Sequence, residues 1–595
     1  MNKKFLRWIL SCVLACSTLF SAGCGHQCSY TNEIAEDKYL KSEATCTAGT
    51  TYYYSCECGK HGTNTFSVGK KVAHSYIAEV PEGKYIKSEA NCTYAAEYWK
   101  SCQWCGKKSS FATFSYGETG DCNYTEKIVK EDFLKSEATT EQSEEYYKTC
   151  ICGKHGEETF FYGEKIKTDY TAQELAAFTP NSLTVTLYDA QNSVYGFTYN
   201  TMAKPLRPMI QIQEGNELSE DCEEYPVTVV QASTLDLNKA EMRYYVSKAE
   251  VPLEVGKTYT YRVWDKYAQV GTETTTIQAK DTKATSFKFA HVSDTQVTKH
   301  TPGEDTGRFF RQVLPAIVDT NDFIFHTGDM VQEGKYEYWT DMLHSNFEYL
   351  STIPVMAVCG NHEGPYKKDR HENYEHFNNK ISEQITDFGY YYSFVYGNTK
   401  FIMLNTMDGE EYALRDGKWL SDEQYEWLVN ELENNTATWT IVGMHTTMYA
   451  AGHWSSNPAE NEKSVKLRAQ LTDLFAQHGV DIVLQGHEHI LSRSVPINGI
   501  VNGVPQLQTE TIQKENGVDY SINPNGTIYV INGHCGNHSN MVWDKTSNWF
   551  TYREALTPAS WAEFEINGNK LTVNVNYYDE AEGEKTYATW GIVKN

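Results

Sequence analysis

A chain of 595 residues exceeds what one hydrophobic core sustains, so several domains are expected, at least one of them able to bury a sizeable interior. Lys and Arg total 52 against 78 Asp and Glu, a net charge of −26, opposite in sign to the surface that phosphate-backbone binding needs, which argues against nucleic acid as a main partner. With 40% hydrophobic residues, 13% aromatic residues and a mean hydropathy of −0.55, the chain is too aromatic for disorder and too polar for a membrane protein.

At the N-terminus Lys3, Lys4 and Arg7 precede an apolar run over 8–20 that ends in Ser21, Ala22 and Gly23 before Cys24. This reads as a signal peptide, 1–23, too short to span a bilayer. Small residues directly before a cysteine resemble the processing site of bacterial lipoproteins, with Ser21 where that family usually carries Leu. The resemblance implies lipidation at Cys24 and a secreted or cell-surface protein tethered to the envelope. Nothing later in the sequence is apolar enough to cross a membrane.

Three Cys/His-rich repeats follow over 26–163. Lys41-Ser42-Glu43-Ala44 returns at 87–90 and at 135–138, and on that alignment Cys28 falls on His74 and Cys122, Cys46 on Cys92 and Thr140, and Cys56 on Cys102 and Cys150. Each copy closes with a tight pair, completed by Cys58, Cys105 and Cys152. Disulfides are the ordinary reading of such cysteines in a secreted chain. Against it, His74 replaces a cysteine, and the second and third copies each hold an odd number. Histidine can substitute for cysteine at zinc but not in a disulfide. The expected structural zinc sets are Cys28, Cys46, Cys56 and Cys58, then His74, Cys92, Cys102 and Cys105, then Cys122, Cys150 and Cys152 with His155 as a substitute fourth donor. The copies resemble short Cys-rich repeats of bacterial cell-surface proteins and are expected to act as a metal-stapled spacer or adhesion stalk.

Over 166–282 short alternating strands take over, at 182–188, 194–199 and 258–263, which predicts an all-β sandwich of the fibronectin type III kind. From Ser286 the pattern changes to short apolar runs, each ending in residues that bind metals. Residues 287–292 lead to Asp294 and Gln296, 323–325 to Gly328-Asp329, 355–358 to Gly360-Asn361-His362-Glu363, 441–442 to His445, and 480–484 to Gly486-His487-Glu488-His489. Amphipathic stretches at 306–319, 422–433 and 464–478 predict helices between buried strands of an α/β domain over 286–595, with ligands gathered beyond the strands' carboxyl ends.

The ordered set Asp-x-Gln, Gly-Asp, Gly-Asn-His-Glu, His, Gly-His-x-His resembles the calcineurin-like metallophosphoesterase superfamily, and within it the purple acid phosphatase-like branch with an N-terminal β-sandwich. The resemblance implies a two-sheet sandwich flanked by helices, two divalent ions (Mn, Fe or Zn), and hydrolysis of a small phosphorylated substrate. It implies that Asp329 bridges the ions, that Asp294, Gln296 and His489 hold the first, and that Asn361, His445 and His487 hold the second. His362 is the expected residue at the phosphate, oriented by Glu363, and Arg493 the expected substrate contact. Two departures stand out: Gln296 occupies a position usually held by histidine, and Gln332 the position of the tyrosine that colours the purple enzymes.

The segment 364–398 carries Tyr366, Lys367, Lys368, Arg370, His371, Tyr374 and His376 and is read as a solvated loop with packing aromatics or as a pocket wall that supplies cations. His534 and His538 are expected on the pocket rim, and 564–577 reads as a hairpin turning at Asn567-Gly568. The function expected is an exported dimetal phosphoesterase. The contrasting reading is a surface adhesion or binding protein whose phosphoesterase domain is weak or inactive.

Overall fold

The computed structural model describes residues 28–595 except 91, 93, 121, 151, 236–239, 299–306, 364–374, 381–384, 387–388, 408–417, 537–538 and 557. The expected signal peptide, Cys24, His538 and, from the segment 364–398, Tyr366, Lys367, Lys368, Arg370, His371 and Tyr374 thus lie outside the described residues. The chain divides into two compact units, Met1–Ser88 with Glu97–Tyr116, and Glu89–Ala96 with Gly117–Asn595.

Each repeat is a three-stranded sheet: Leu40–Ser42, Thr50–Ser55 and His61–Val68, then Ile86–Ser88, Ala96–Ser101 and Lys108–Tyr116, then Leu134–Ser136, Glu144–Thr149 and His155–Tyr162. Cys56, Cys102 and Cys150 open the turn between the last two strands, and each accepts on its carbonyl the N–H of the glycine that closes it, Gly59, Gly106 or Gly153. The interior of each sheet is little more than one or two rings, such as Tyr39 in the first and Tyr85 and Trp99 in the second. In the second unit the third repeat is docked on the sandwich. There Tyr267 Oη accepts the Ala138 N–H at 2.8 Å and donates to Glu144 at 2.9 Å, while Arg207 stands 3.4 Å from that buried carboxylate.

The sandwich has two facing sheets. One orders Asn181–Asp189, Val194–Thr201, Glu241–Pro252 and Thr228–Leu235; the other orders Glu223–Pro226, Pro208–Glu214, Thr258–Asp265 and Val270–Gly271, with Thr275–Gln278 also on Thr258–Asp265. Val185, Phe197, Ile210, Tyr261 and Val263 fill the space between. Thr184 and Thr186, on the opposite face of their strand, are also buried, because they donate to the backbone carbonyls of His376 and Asn378 in the following domain. The interface explains why this strand lacks the polar alternation of a half-exposed one.

The α/β domain is built from two large sheets. The eight-stranded sheet orders Val355–Ala357, Phe323–His326, Ser286–Val292, Ser560–Asn567, Lys570–Asp579, Gly583–Val593, Val518–Ile522 and Ile512–Glu515. The seven-stranded sheet orders Tyr392–Tyr396, Thr399–Met403, Trp439–Met444, Ile482–Gln485, Ile528–Asn532, Leu491–Ser494 and Phe550–Glu554. Alternation along one strand shows the layering: Phe287 and Phe289 join the core shared with Phe401, Ile441, Leu484 and Phe564, whereas Ala290 and Val292 join a second cluster under the helices Arg308–Thr320 and Tyr336–Leu343. Helices Asp422–Glu433 and Glu462–Gln477 match the predicted ones to within two residues, the former opened by the Ser421 side chain accepting the Gln424 N–H. The C-terminal hairpin forms, but its two-residue loop is Gly568-Asn569, since Asn567 pairs with Lys570. Among the described residues no helix is long and apolar enough to cross a membrane.

Candidate metal centre

The strands Ser286–Val292, Phe323–His326 and Val355–Ala357 run parallel in one sheet, and Thr399–Met403, Trp439–Met444, Ile482–Gln485 and Ile528–Asn532 run parallel in the other. Their carboxyl ends therefore open on the same side of their sheets, and the loops leaving five of them carry the expected ligands. The loops are tightly drawn: Asp294, Gln296, Asp329 and His487 all sit in the left-handed region, with φ of 51°, 42°, 54° and 68°. Such conformations cost about 1–3 kcal/mol each and persist where surrounding structure dictates them. Close approach fixes two glycines as well. A Cβ on Gly328 would lie 2.8 Å from the Gly360 nitrogen, and one on Gly360 would overlap the Asp329 carboxylate.

One group of donors gathers Asp329, His445 and His487, whose ligand atoms all lie within 4.8 Å of one another. Asn361 joins it through its side-chain oxygen, 3.0 Å from His445 Nε2. Asp329 Oδ2 stands 3.2 Å from the same nitrogen. His445 Nδ1 donates to the Thr327 carbonyl at 2.8 Å, which fixes the tautomer and leaves Nε2 for a metal. Beside this group, Asp294 Oδ1 lies 3.3 Å from His489 Nε2, and both Asp294 oxygens accept the His487 N–H. Gln296 donates its backbone N–H to the Asp329 carbonyl at 2.9 Å, while its buried side-chain Oε1 has no hydrogen-bond partner. A buried amide oxygen left without a donor is costly unless a cation takes it, and the carboxylate, amide and imidazole donors gathered here are types that bind divalent ions.

The electrostatics agree. Burial raises the Asp294 and Asp329 carboxyls, but His489 beside the first and His445 beside the second outweigh it and hold both below the usual carboxylate range. Burial lowers His445, yet the Asp329 charge prevails and lifts it to about 9. Desolvation and then the His445 charge push the half-buried His487 down to about 3. The two carboxylates are thus held as anions, and His445 is drawn to positive charge by Asp329.

Several expected residues have other roles. Glu363 does not orient His362: one carboxylate oxygen accepts the N–H groups of Asp329 and Gly360, and the other that of Met330, so it clamps two ligand loops together. Burial and the Asp329 charge push it up to about 8. His362 is held instead by Gln332, whose carbonyl accepts from Nδ1 at 2.8 Å and whose side-chain amide lies 3.2 Å from the same atom. That leaves His362 Nε2 facing Asp329 at 3.8 Å, on a ring about one third exposed. Arg493 is not a substrate contact. It is buried in the strand Leu491–Ser494, where it makes paired bonds of 3.0 and 2.6 Å to Glu510 and lies over the Trp590 ring. His376 does not line the pocket either: it is buried against Trp339, 4.3 Å between ring centres, at the sandwich interface. His534 is no rim residue but stacks beneath His489 at 5.3 Å, fully buried. Sequence reading missed Trp454, which is 42% exposed with its ring 5.9 Å from that of His487. No spacing signals it, since it sits in the single helical turn His453–Ser456 after His445.

The cysteine clusters also differ from expectation. Cys46 lies not with Cys28, Cys56 and Cys58 but with His74, Cys102 and Cys105, and Cys92 lies with Cys122, Cys150 and Cys152. His155 takes no part: its ring is exposed, stacked on Tyr147, with Nδ1 bound to the Gly156 carbonyl.

Residues 287–491 match the family model described as calcineurin-like phosphoesterase. Purple acid phosphatase 15 of Arabidopsis thaliana is 26% identical over 230 residues, covering 38% of this chain and 36% of that protein. Acid phosphatase type 7 of Homo sapiens is 29% identical over 199 residues, 31% of this chain and 41% of that protein. The chain thus spans between a third and a half of the length of these curated relatives. Purple acid phosphatase PPD1 from yellow lupin (Lupinus luteus) seeds shares the fold, with a TM-score of 0.57 at 16% identity over 70% of this chain and 75% of that one. The segment 287–491 is accordingly a calcineurin-like phosphoesterase domain with purple acid phosphatase homologues.

Proposed function

We propose that the chain is an exported phosphoesterase that hydrolyses small phosphate esters at two divalent ions. Asp294, Gln296, Asp329 and His489 would hold one ion, and Asp329, Asn361, His445 and His487 the other. The observation that carries this reading is the gathering of the Asp329, His445 and His487 donor atoms within 4.8 Å of one another, with Asp294 paired to His489 and the partnerless buried Gln296 Oε1 on the neighbouring loop. Such ions supply Lewis-acid polarisation of the phosphate and an activated water.

The protein's own contribution is positional. Glu363 fixes the Gly-Asp and Gly-Asn loops through three amides, so the ligands need little rearrangement when the site is loaded. Gln332 accepts the Nδ1 proton of His362 and so presents Nε2 to the site, where it can stabilise phosphate charge or pass a proton to the leaving oxygen. Trp454 offers apolar surface to the ester group beside His487. Export and a lipid anchor at Cys24 rest on the N-terminal residue pattern alone. The test is metal analysis of the pure protein together with hydrolysis of a panel of phosphate monoesters and diesters. Stoichiometric metal with no turnover of any ester would favour a binding protein instead.

A further inference from the structure

The second cysteine of a repeat belongs to its neighbour. Strand geometry explains why. Cys46 precedes the strand Thr50–Ser55, and Cys56 follows it. A strand of that length separates its ends by about 20 Å, so Cys46 cannot reach the Cys56–Cys58 turn of its own hairpin. The last strand of the first repeat, His61–Val68, pairs Val68 with Thr50 and so returns the chain to the Cys46 end. There the Val72 N–H donates to the Thr45 carbonyl, and His74 arrives beside Cys46. The Gln103 N–H donates to the Ser75 carbonyl, which brings the Cys102–Cys105 turn of the second repeat to the same place.

The four donors so assembled are Cys46, His74, Cys102 and Cys105. Cys46 Sγ is 3.5 Å from Cys102 Sγ, Cys105 Sγ is 3.3 Å from His74 Nδ1, and all four atoms lie within 4.8 Å of one another. Zinc with thiolate bonds of about 2.3 Å places its ligand atoms roughly 3.8 Å apart. The same hand-over recurs one repeat later. Cys92, on the segment Glu89–Ala96, joins Cys122, Cys150 and Cys152 and is disulfide-bonded to Cys152. The third repeat has no successor, and its equivalent position is Thr140. A site confined within each repeat leaves that threonine unexplained, whereas sharing between neighbours requires no cysteine there.

We propose that Cys46, His74, Cys102 and Cys105 form a tetrahedral zinc site shared by consecutive repeats, with Cys46 contributed by the first repeat and the other three donors by the second. His74 bars a fully disulfide-bonded form of this cluster, and a single ion satisfies every donor.

The test uses the full chain, with zinc content measured by plasma mass spectrometry and free thiols mapped by alkylation and peptide mass analysis. Cys46→Ser should lose one zinc per chain and make Cys102 and Cys105 reactive, while Cys28, Cys56 and Cys58 react as before. His74→Ala should lose the same ion and His74→Cys should keep it, which separates ligand loss from misfolding. Unchanged zinc in Cys46→Ser, release of Cys56 and Cys58 rather than Cys102 and Cys105, or a Cys46–Cys102 disulfide in the native protein would each overturn the assignment.

Discussion

The two kinds of donor cluster in this molecule are held together in opposite ways. In the phosphoesterase domain the candidate ligands cap a large two-sheet core, and the Thr327 carbonyl and Glu363 carboxylate fix them by accepting hydrogen bonds from His445 and from the loop amides. In the repeats each sheet buries only a few rings, so the donors themselves must supply much of the cohesion. A metal in the first setting contributes chemistry on an existing scaffold. A metal in the second contributes folding free energy.

The largest expected effect tests the first half of that contrast. Asp329→Asn should lower kcat/KM by roughly 10³-fold or more, because it removes the carboxylate proposed to serve both ions. Far-ultraviolet dichroism and the melting profile should remain those of the parent. A collapse of the domain would show that the metal holds this core after all. Chelation with a strong zinc ligand should next abolish hydrogen-exchange protection in Ala96–Ser101 and Lys108–Tyr116 while the strands Ser286–Val292 and Ile482–Gln485 keep theirs. Equal loss in both places would erase the distinction.

His362→Ala should cost about 10²-fold in kcat with metal content unchanged, since the ring faces the site without joining either donor set. A smaller effect on folding is expected from pH. His376 is buried at the sandwich interface and its folded value is depressed to about 3, against 6.5 for the exposed ring. Its contribution is therefore complete above pH 6.5 and is lost as pH falls towards 3, about 2 kcal/mol being gone by pH 5. Denaturant titrations of His376→Phe should show a shallower decline over that range than the parent. Smallest of all, Gln332→Ala should reduce turnover by roughly fivefold, because the backbone carbonyl still holds His362 and only the amide contact is lost. The same residue predicts a colourless protein, as its side chain engages His362 and contributes no phenolate.

Much of the phosphoesterase domain was legible in the sequence. Five apolar runs followed by Asp, Asn, His and Gly report strand ends directly, because burial and ligand chemistry are local properties of those segments. Long-range partners were not legible. The role of Glu363 depends on two backbone amides of the remote Gly328-Asp329 loop besides that of Gly360 in its own loop, and that of Arg493 on Glu510, neither of which leaves a spacing signal. His376 resembled a pocket cation only because the sandwich that buries it is remote in sequence. The repeats failed for another reason: their internal alignment was correct, but alignment cannot tell which copy a side chain serves when a strand carries it to the far end of its own sheet.

The hand-over from Cys46 to the second repeat also constrains how such an array can change length. Cys46 and Cys92 occupy equivalent places, so excising 47–92 as a block would put Cys46 ahead of Cys122, Cys150 and Cys152 in the register Cys92 now holds. A cut between conventional repeat boundaries, made at the linkers, preserves the same register, whereas loss of half a repeat would part Cys46 or Cys92 from the turn it serves. Whole repeats are thus the unit that can be removed with the shared clusters kept, and Thr140 stands where no following repeat calls for a donor.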